Sequence, residues 1–158
     1  MHRAFIALGS NLQNPQKQIN AALQRIANTP DIQLIKASSL YQTAPVGYDN
    51  QPDFINAVAE ISTTLAPLAL LQTLLNIETM HGRERPFPNA PRVLDLDLLL
   101  YDDVIMNTET LTLPHPRMCE RGFVMLPLAE IAPNIKIGNN GYADGLAAKC
   151  DNQDVCKL

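Results

Sequence analysis

APRVLDLDLLL, residues 90–100, sets two aspartates two positions apart inside a run of leucines. Read as a strand, it turns Leu94, Leu96 and Leu98 to one face and Asp95 and Asp97 to the other, with the two aspartates about 7 Å apart along the chain. The leucine face needs a core, and the aspartate face needs something able to meet charge. Two uncompensated carboxylates at that spacing raise each other's pKa, and burying one alone costs roughly several kcal/mol. A cationic group is therefore expected between them. The candidates are arginines of the preceding segment or a divalent cation, and a hard site with few carboxylates suits magnesium that also holds substrate phosphates.

Working outward, the segment GRERPFPNAPR (82–92) has three prolines and three arginines and can be neither helix nor strand. It reads as a basic loop beside the aspartate strand, held down by few apolar anchors and ordered when an anion arrives. Upstream, Pro67 opens a helix through LALLQTLLNIETM that Gly82 stops. In FINAVAEIST (54–63), Ile55, Ala57, Ala59 and Ile61 alternate with Phe54, Asn56, Val58 and Glu60. The second set offers an aromatic ring, an amide and a carboxylate. A strand across 31–43 precedes it, joined by the loop APVGYDNQPD, whose Pro45, Gly47 and Pro52 exclude regular structure. RAFIALG near the start puts Ala4, Ile6 and Leu8 on one face and Arg3, Phe5 and Ala7 on the other. Asn14 and Pro15 then open a helix, as N-cap and first-turn proline, with Ile19, Ala22, Leu23 and Ile26 on one stripe.

Strand, helix, strand, strand, helix, strand is the order of a ferredoxin-like α+β sandwich. Both helices are expected on one face of an antiparallel sheet, with the mobile arginine-rich loop over the other. At 158 residues and 46% apolar composition, residues 1–158 read as a single domain. No apolar run approaches the roughly 18 residues of a membrane span, so a soluble cytoplasmic protein without a membrane partner is expected. Cys119, Cys150 and Cys156 match neither a disulfide framework nor a zinc site and read as reduced bystanders. The net charge of -4 argues against nucleic acid as a partner. Yet Arg83, Arg85, Arg92, Arg117 and Arg121 are five of the seven arginines, so a local anion site is expected in an acidic chain.

FIALGSNL (5–12), FINA (54–57), PRVLDLDLLL (91–100), LPHPRM (113–118) and RGFVMLPLAEIAP (121–133), in this order and spacing, resemble the 6-hydroxymethyl-7,8-dihydropterin pyrophosphokinase family of folate biosynthesis. The resemblance implies transfer of pyrophosphate from ATP to the hydroxymethyl group of a reduced pterin, leaving AMP, on the same sandwich fold. It implies that Asp95 and Asp97 hold two Mg2+ ions bridging the ATP phosphates, and that Arg83 and Arg92 act on those phosphates in catalysis. His115 and Arg121 match positions contacting the nucleotide's phosphates and ribose, while Leu98 and Thr112 match positions whose backbone meets adenine. Phe54 and Phe123 match rings that sandwich the pterin, and Asn56 matches its hydrogen-bonding edge, with backbone groups of Thr43 and Val46. A monomer acting on two small molecules is implied. In this chain Ala90 stands where relatives often have glycine, and Pro86 and Pro88 stiffen the arginine loop.

Two other classes share some of these features. A metal-dependent phosphohydrolase could use the same Asp-x-Asp pair with water as nucleophile, and a noncatalytic sensor domain could bind pterin or nucleotide without magnesium. Phe54 falls on the face opposite the apolar set, which favours a ligand over core packing. Gly9, Ser10 and Asn11 read as a structural turn, since no Lys-bearing glycine-rich phosphate loop follows. Glu78, one turn before Gly82, reads as a solvated helix residue.

Overall fold

The structure is a computed structural model that describes residues 1–12, 14–44, 53–81, 93–150 and 153–158. In chain order its elements are β1 (His2–Ser10), α1 (Pro15–Ala27), β2 (Ile32–Ala37), β3 (Tyr41–Thr43), β4 (Phe54–Thr63), α2 (Pro67–Met80) and β5 (Asp95–Tyr101). Then come β6 (Met106–Asn107), β7 (Thr112–Leu113), a 3-10 turn (Met118–Glu120), α3 (Gly122–Ile131), α4 (Ala143–Ala148) and β8 (Val155–Lys157). The main sheet runs β5-β1-β4-β3-β8, with β2 also on β4, and the pairings are antiparallel. With β2 and β3 counted as one broken strand, this is the strand order of the ferredoxin-like split βαβ arrangement. Among the described residues no helix is long and apolar enough to cross a membrane.

Alternation along each strand builds two cores. Ala4, Ile6, Leu8, Ala57, Ala59, Ile61, Leu96 and Leu98 face α1 and α2, meeting Ile19, Ala22 and Ile26 from one helix and Leu70, Leu74 and Ile77 from the other. The two helices predicted from periodicity lie on one face, as expected, and both begin at the predicted prolines. From Met118 onward the chain adds a second layer. Phe5, Val58, Leu99 and Leu100 pack on the other face against Met118, Val124, Met125 and Leu128. This cover stops short of Gly9, Asn56, Asp95 and Asp97, which line a cavity on that same face.

Two local expectations are corrected, and a third element continues in a way the sequence reading did not cover. The single strand expected across 31–43 is two strands on one edge of β4. Ala37 pairs with Ala59 and Tyr41 with Asn56, so one extra residue is accommodated between them. Ser38 closes that irregularity, donating its N–H to the Val58 carbonyl and accepting the Val58 N–H on its hydroxyl, both at 2.9 Å. Asn14 occupies the N-cap position of α1 but at φ 62 and with no side-chain capping bond. In β5 the leucine–aspartate alternation predicted for 94–98 holds. A bulge against Phe5 and Ile6 then shifts the parity, so Leu99 and Leu100 both enter the second core and Tyr101 returns to the first. That is why the segment reads DLDL and then LLY. Cys119, Cys150 and Cys156 are not joined by disulfides.

A polar network ties α3 to the sheet. Glu130 accepts the Tyr41 hydroxyl at 2.6 Å and the Ser39 N–H and hydroxyl at 2.9 and 3.0 Å. Burial pushes the Glu130 carboxyl up, but the bonds from Tyr41 and Ser39 and the charge of Lys157 outweigh it and hold the group below its ordinary value. Burial, and after it the bond to Glu130 and that residue's charge, push the Tyr41 phenol well above its ordinary 10. A phenol whose folded pKa is raised stabilises the fold below its unfolded pKa and loses that contribution as pH climbs toward the folded value. A carboxyl whose folded pKa is lowered contributes above its unfolded pKa and loses that in acid. Tyr41→Phe should therefore cost about 1–3 kcal/mol in urea unfolding at pH 7. Its stability should also fall less steeply than wild type above pH 10; an unchanged alkaline limb would count against the assignment.

Candidate active site

Cross-strand register places the site. Asp95, Gly9, Asn56 and Tyr41 form one row across β5, β1, β4 and β3, and Asp97, Ala7 and Val58 form the next. Residues directly opposite share a face, so the aspartates, the Asn56 amide and the phenol of Tyr41 stand on the side of α3. Gly9 lies between Asp95 and Asn56, where a Cβ would come within 3.2 Å of Asn56 Oδ1. Its role is close approach rather than turn geometry. The Ser10 hydroxyl donates to the Val93 carbonyl, tying the end of β1 to the start of the aspartate segment.

Two cavities open here. The wider, about 990 Å³, is lined by Gly9, Thr43, Phe54 and Asn56 from the sheet and by Arg121 and Phe123 from the start of α3. The narrower, about 300 Å³, is lined by Leu71, Leu75 and Glu78 of α2, by Leu96 and Leu98, and by Thr108 through Thr112 with His115. Asp95 and Asp97 line both. The carboxylate pair is the junction of the two spaces.

In the wider cavity, Phe54 opens β4 opposite Thr43, and the Arg121 guanidinium lies 5.5 Å from the Phe123 ring centroid, a cation–π contact. Asn56 is 5% exposed, and among the described residues its Nδ2 has no hydrogen-bond partner. A buried amide donor left unpaired costs about 1–3 kcal/mol, a cost an acceptor in the cavity removes. In the narrower cavity, strand parity decides the backbone. The Leu96 N–H points to the outer edge of β5, where Glu78 Oε2 accepts it at 2.7 Å. Two residues on, Leu98 turns its own N–H and carbonyl to that same edge. Thr112 pairs with Asn107 in a small hairpin, and the His115 N–H donates to the Leu99 carbonyl at 2.9 Å. Burial lowers the His115 pKa, Arg121 and Arg117 lower it further, and Asp95 offsets part of this. Burial and the two arginines thus favour the neutral imidazole, and its Nδ1 accepts the Arg117 N–H at 3.4 Å.

Leu98, Thr112 and His115 are thus gathered at the narrower cavity, and Thr43, Phe54, Asn56 and Phe123 at the wider one. Arg121 lines the wider cavity, although the resemblance assigns it to the nucleotide. Arg83, Arg92 and Val46 lie outside the described residues, as does the expected closing of the arginine loop. Glu78 is corrected: it is 3% exposed and lines the narrower cavity. The signal was in the sequence, because Leu70, Leu74 and Glu78 fall on one i, i+4, i+8 stripe that the core occupies.

Two cavities that share a carboxylate pair, on this sheet, form the candidate active site. A profile of the 7,8-dihydro-6-hydroxymethylpterin-pyrophosphokinase family matches residues 5–133. The chain is 43% identical over 158 residues to the 2-amino-4-hydroxy-6-hydroxymethyldihydropteridine pyrophosphokinase of Haemophilus influenzae, covering 100% of this chain and 99% of that one. It is 40% identical to the enzyme of the same name from Pseudomonas aeruginosa, again over 158 residues, 100% of this chain and 98% of the other. A crystal structure of Plasmodium falciparum HPPK-DHPS with pteroate has the same fold, at TM-score 0.73 and 16% identity over 94% of this chain and 42% of that longer one. The chain belongs to the 7,8-dihydro-6-hydroxymethylpterin-pyrophosphokinase family. It is an enzyme, a pyrophosphokinase of folate synthesis.

Proposed function

We propose that the enzyme binds ATP in the narrower cavity and 6-hydroxymethyl-7,8-dihydropterin in the wider one, and joins them at Asp95 and Asp97. The observation that carries this reading is that the two carboxylates line both cavities. The hydroxymethyl oxygen attacks the β-phosphorus, a new O–P bond forms, and the bond from that phosphorus to the α,β-bridging oxygen breaks, releasing AMP. The edge-facing backbone of Leu98, with Thr112, recognises adenine, and the neutral His115 donates from Nε2 to a phosphate or ribose oxygen. Phe54 and Phe123 hold the flat pterin ring, while Asn56 and the backbone of Thr43 and Val46 read its donor and acceptor edge. Arg83 and Arg92, by their resemblance to the family's loop arginines, follow charge on the transferring group. Arg121 lines the wider cavity with its guanidinium over Phe123, and its charge is felt by His115.

The donor set fits magnesium. Asp95 and Asp97 are half-buried carboxylates at the mouth of both cavities, and Mg2+ keeps waters and takes one or two carboxylates together with substrate phosphates. Asp95 and Asp97 would hold two Mg2+ ions, which would supply charge neutralisation and alignment of the phosphates. We also propose a single-domain cytoplasmic monomer that acts on small molecules, with neither nucleic acid nor membrane as partner.

The test is to incubate the protein with ATP, Mg2+ and the hydroxymethyl pterin and separate the nucleotides. AMP formed in step with pterin diphosphate is expected. Inorganic phosphate without AMP would identify a phosphohydrolase instead. Phe123→Ala, with its fold verified by circular dichroism, should weaken pterin binding by about 1–3 kcal/mol through lost stacking and burial. Unchanged affinity would remove Phe123 from the pocket.

A further inference from the structure

The end of the chain reaches both walls of the wider cavity. Gln153 spans the backbone on either side of Arg121: its Oε1 accepts the Gly122 N–H at 2.8 Å and its Nε2 donates to the Glu120 carbonyl at 2.9 Å. Gly122 is the first residue of α3, and the N-cap residue Arg121 makes no side-chain capping bond. One of the helix's orphan donors is therefore satisfied by an amide some thirty residues later. Just beyond, β8 joins the sheet on β3, with Val155 opposite Thr43 and Lys157 opposite Tyr41. The Thr43 hydroxyl donates to the Asp154 carbonyl at 3.3 Å, and the Leu158 N–H to the Leu40 carbonyl at 2.9 Å. Thr43 is in turn the cross-strand partner of Phe54. The tail so joins the wall bearing Thr43 and Phe54 to the wall bearing Arg121 and Phe123. It lies close: a Cβ on Gly122 would stand 2.9 Å from Gln153 Oε1 and 3.3 Å from Val155 Cγ2.

We infer that Gln153 is a positioning residue for the wider cavity: its two-ended clasp on residues 120 and 122 sets the placement of Arg121 and Phe123 against Phe54, and so sets affinity for the pterin. The inference rests on the reading that the wider cavity takes the pterin. Both ends of the amide are engaged with backbone, so Gln153 acts through its neighbours. A loose wall admits the ring in several poses, and small misplacements of a binding group reduce affinity steeply. Because the narrower cavity is built from α2, β5 and the 108–115 segment, the nucleotide should be spared.

The experiment measures KM for pterin and for ATP, and kcat, in Gln153→Ala, Gly122→Ala and the double variant, with Phe54→Ala alongside. Gln153→Ala should raise KM for pterin roughly tenfold while KM for ATP and kcat at saturating pterin stay within about twofold. Gly122→Ala, which forces the Gln153 amide aside, should produce the same selective change, and the double variant should be little worse than either single one. If Gln153→Ala yields no folded protein, the selective effect of Gly122→Ala decides alone. A lower melting midpoint with both KM values unchanged would make Gln153 a helix cap only and overturn the inference, as would effects that simply multiply in the double variant. If Phe54→Ala weakens pterin and Gln153→Ala does not, the clasp fails while the cavity assignment stands. If Phe54→Ala leaves KM for pterin unchanged, the cavity assignment itself fails.

Discussion

Replacing Asp97 with alanine lowers turnover about a thousandfold or more while pterin still binds. The expectation follows from position: Asp97 stands between the two cavities, and neutralising and aligning the phosphates contributes several kcal/mol, on the order of 4 or more, to the transition state. The surfaces proposed to hold the pterin, the rings of Phe54 and Phe123 and the Asn56 amide, do not include Asp97. The loss should therefore appear in kcat, with pterin affinity measured directly by titration close to wild type. Raising Mg2+ in the assay should recover little, because Asp95 alone offers one carboxylate where two served. A variant that kept a tenth of wild-type turnover would remove Asp97 from the metal site.

Period-two alternation made much of this legible before any coordinates. It separated the leucines of 94–98 from the aspartates, and Ile55, Ala57, Ala59 and Ile61 from Phe54 and Asn56, and the structure keeps both separations. What escaped was decided by tertiary context. The bulge in β5 depends on a partner strand, so the sequence alone offers only three leucines in a row. α3 contains Pro127, which by local rules ends a helix. Here the missing N–H falls opposite the carbonyl of Phe123, and the helix runs on through Pro127 to Ile131. Glu78 went unrecognised because a carboxylate is usually solvated, although its place on the Leu70–Leu74 stripe pointed inward. The tail after Pro133 carries no strong pattern, since β8 is three residues long and exists by pairing with β3. Local sequence cannot announce a contact whose partner lies more than a hundred positions away.

Asn56→Ala should uncouple stability from binding. In a strand interior, a buried asparagine is ordinarily kept because both ends of its amide are satisfied, and truncating it then costs stability. Asn56 is different, because its Nδ2 is buried without a partner among the described residues while the residue faces the wider cavity beside Gly9. The free enzyme bears the desolvation of that donor, about 1–3 kcal/mol, and on the proposed reading a bound pterin relieves it. Alanine removes the unpaired group along with a small amount of packing, so the free variant should unfold in urea within about 1 kcal/mol of wild type, or later. Binding should suffer much more. A site built to hydrogen-bond a heterocycle's edge loses both the bond and the relief when the amide goes, and about a hundredfold weaker pterin binding is expected. The same variant should bind an ATP analogue normally, since the narrower cavity does not include residue 56. A large loss of stability in the free protein would show that Asn56 is a structural residue whose donor is satisfied without ligand. Near-normal pterin affinity would mean that the amide does not read the ring.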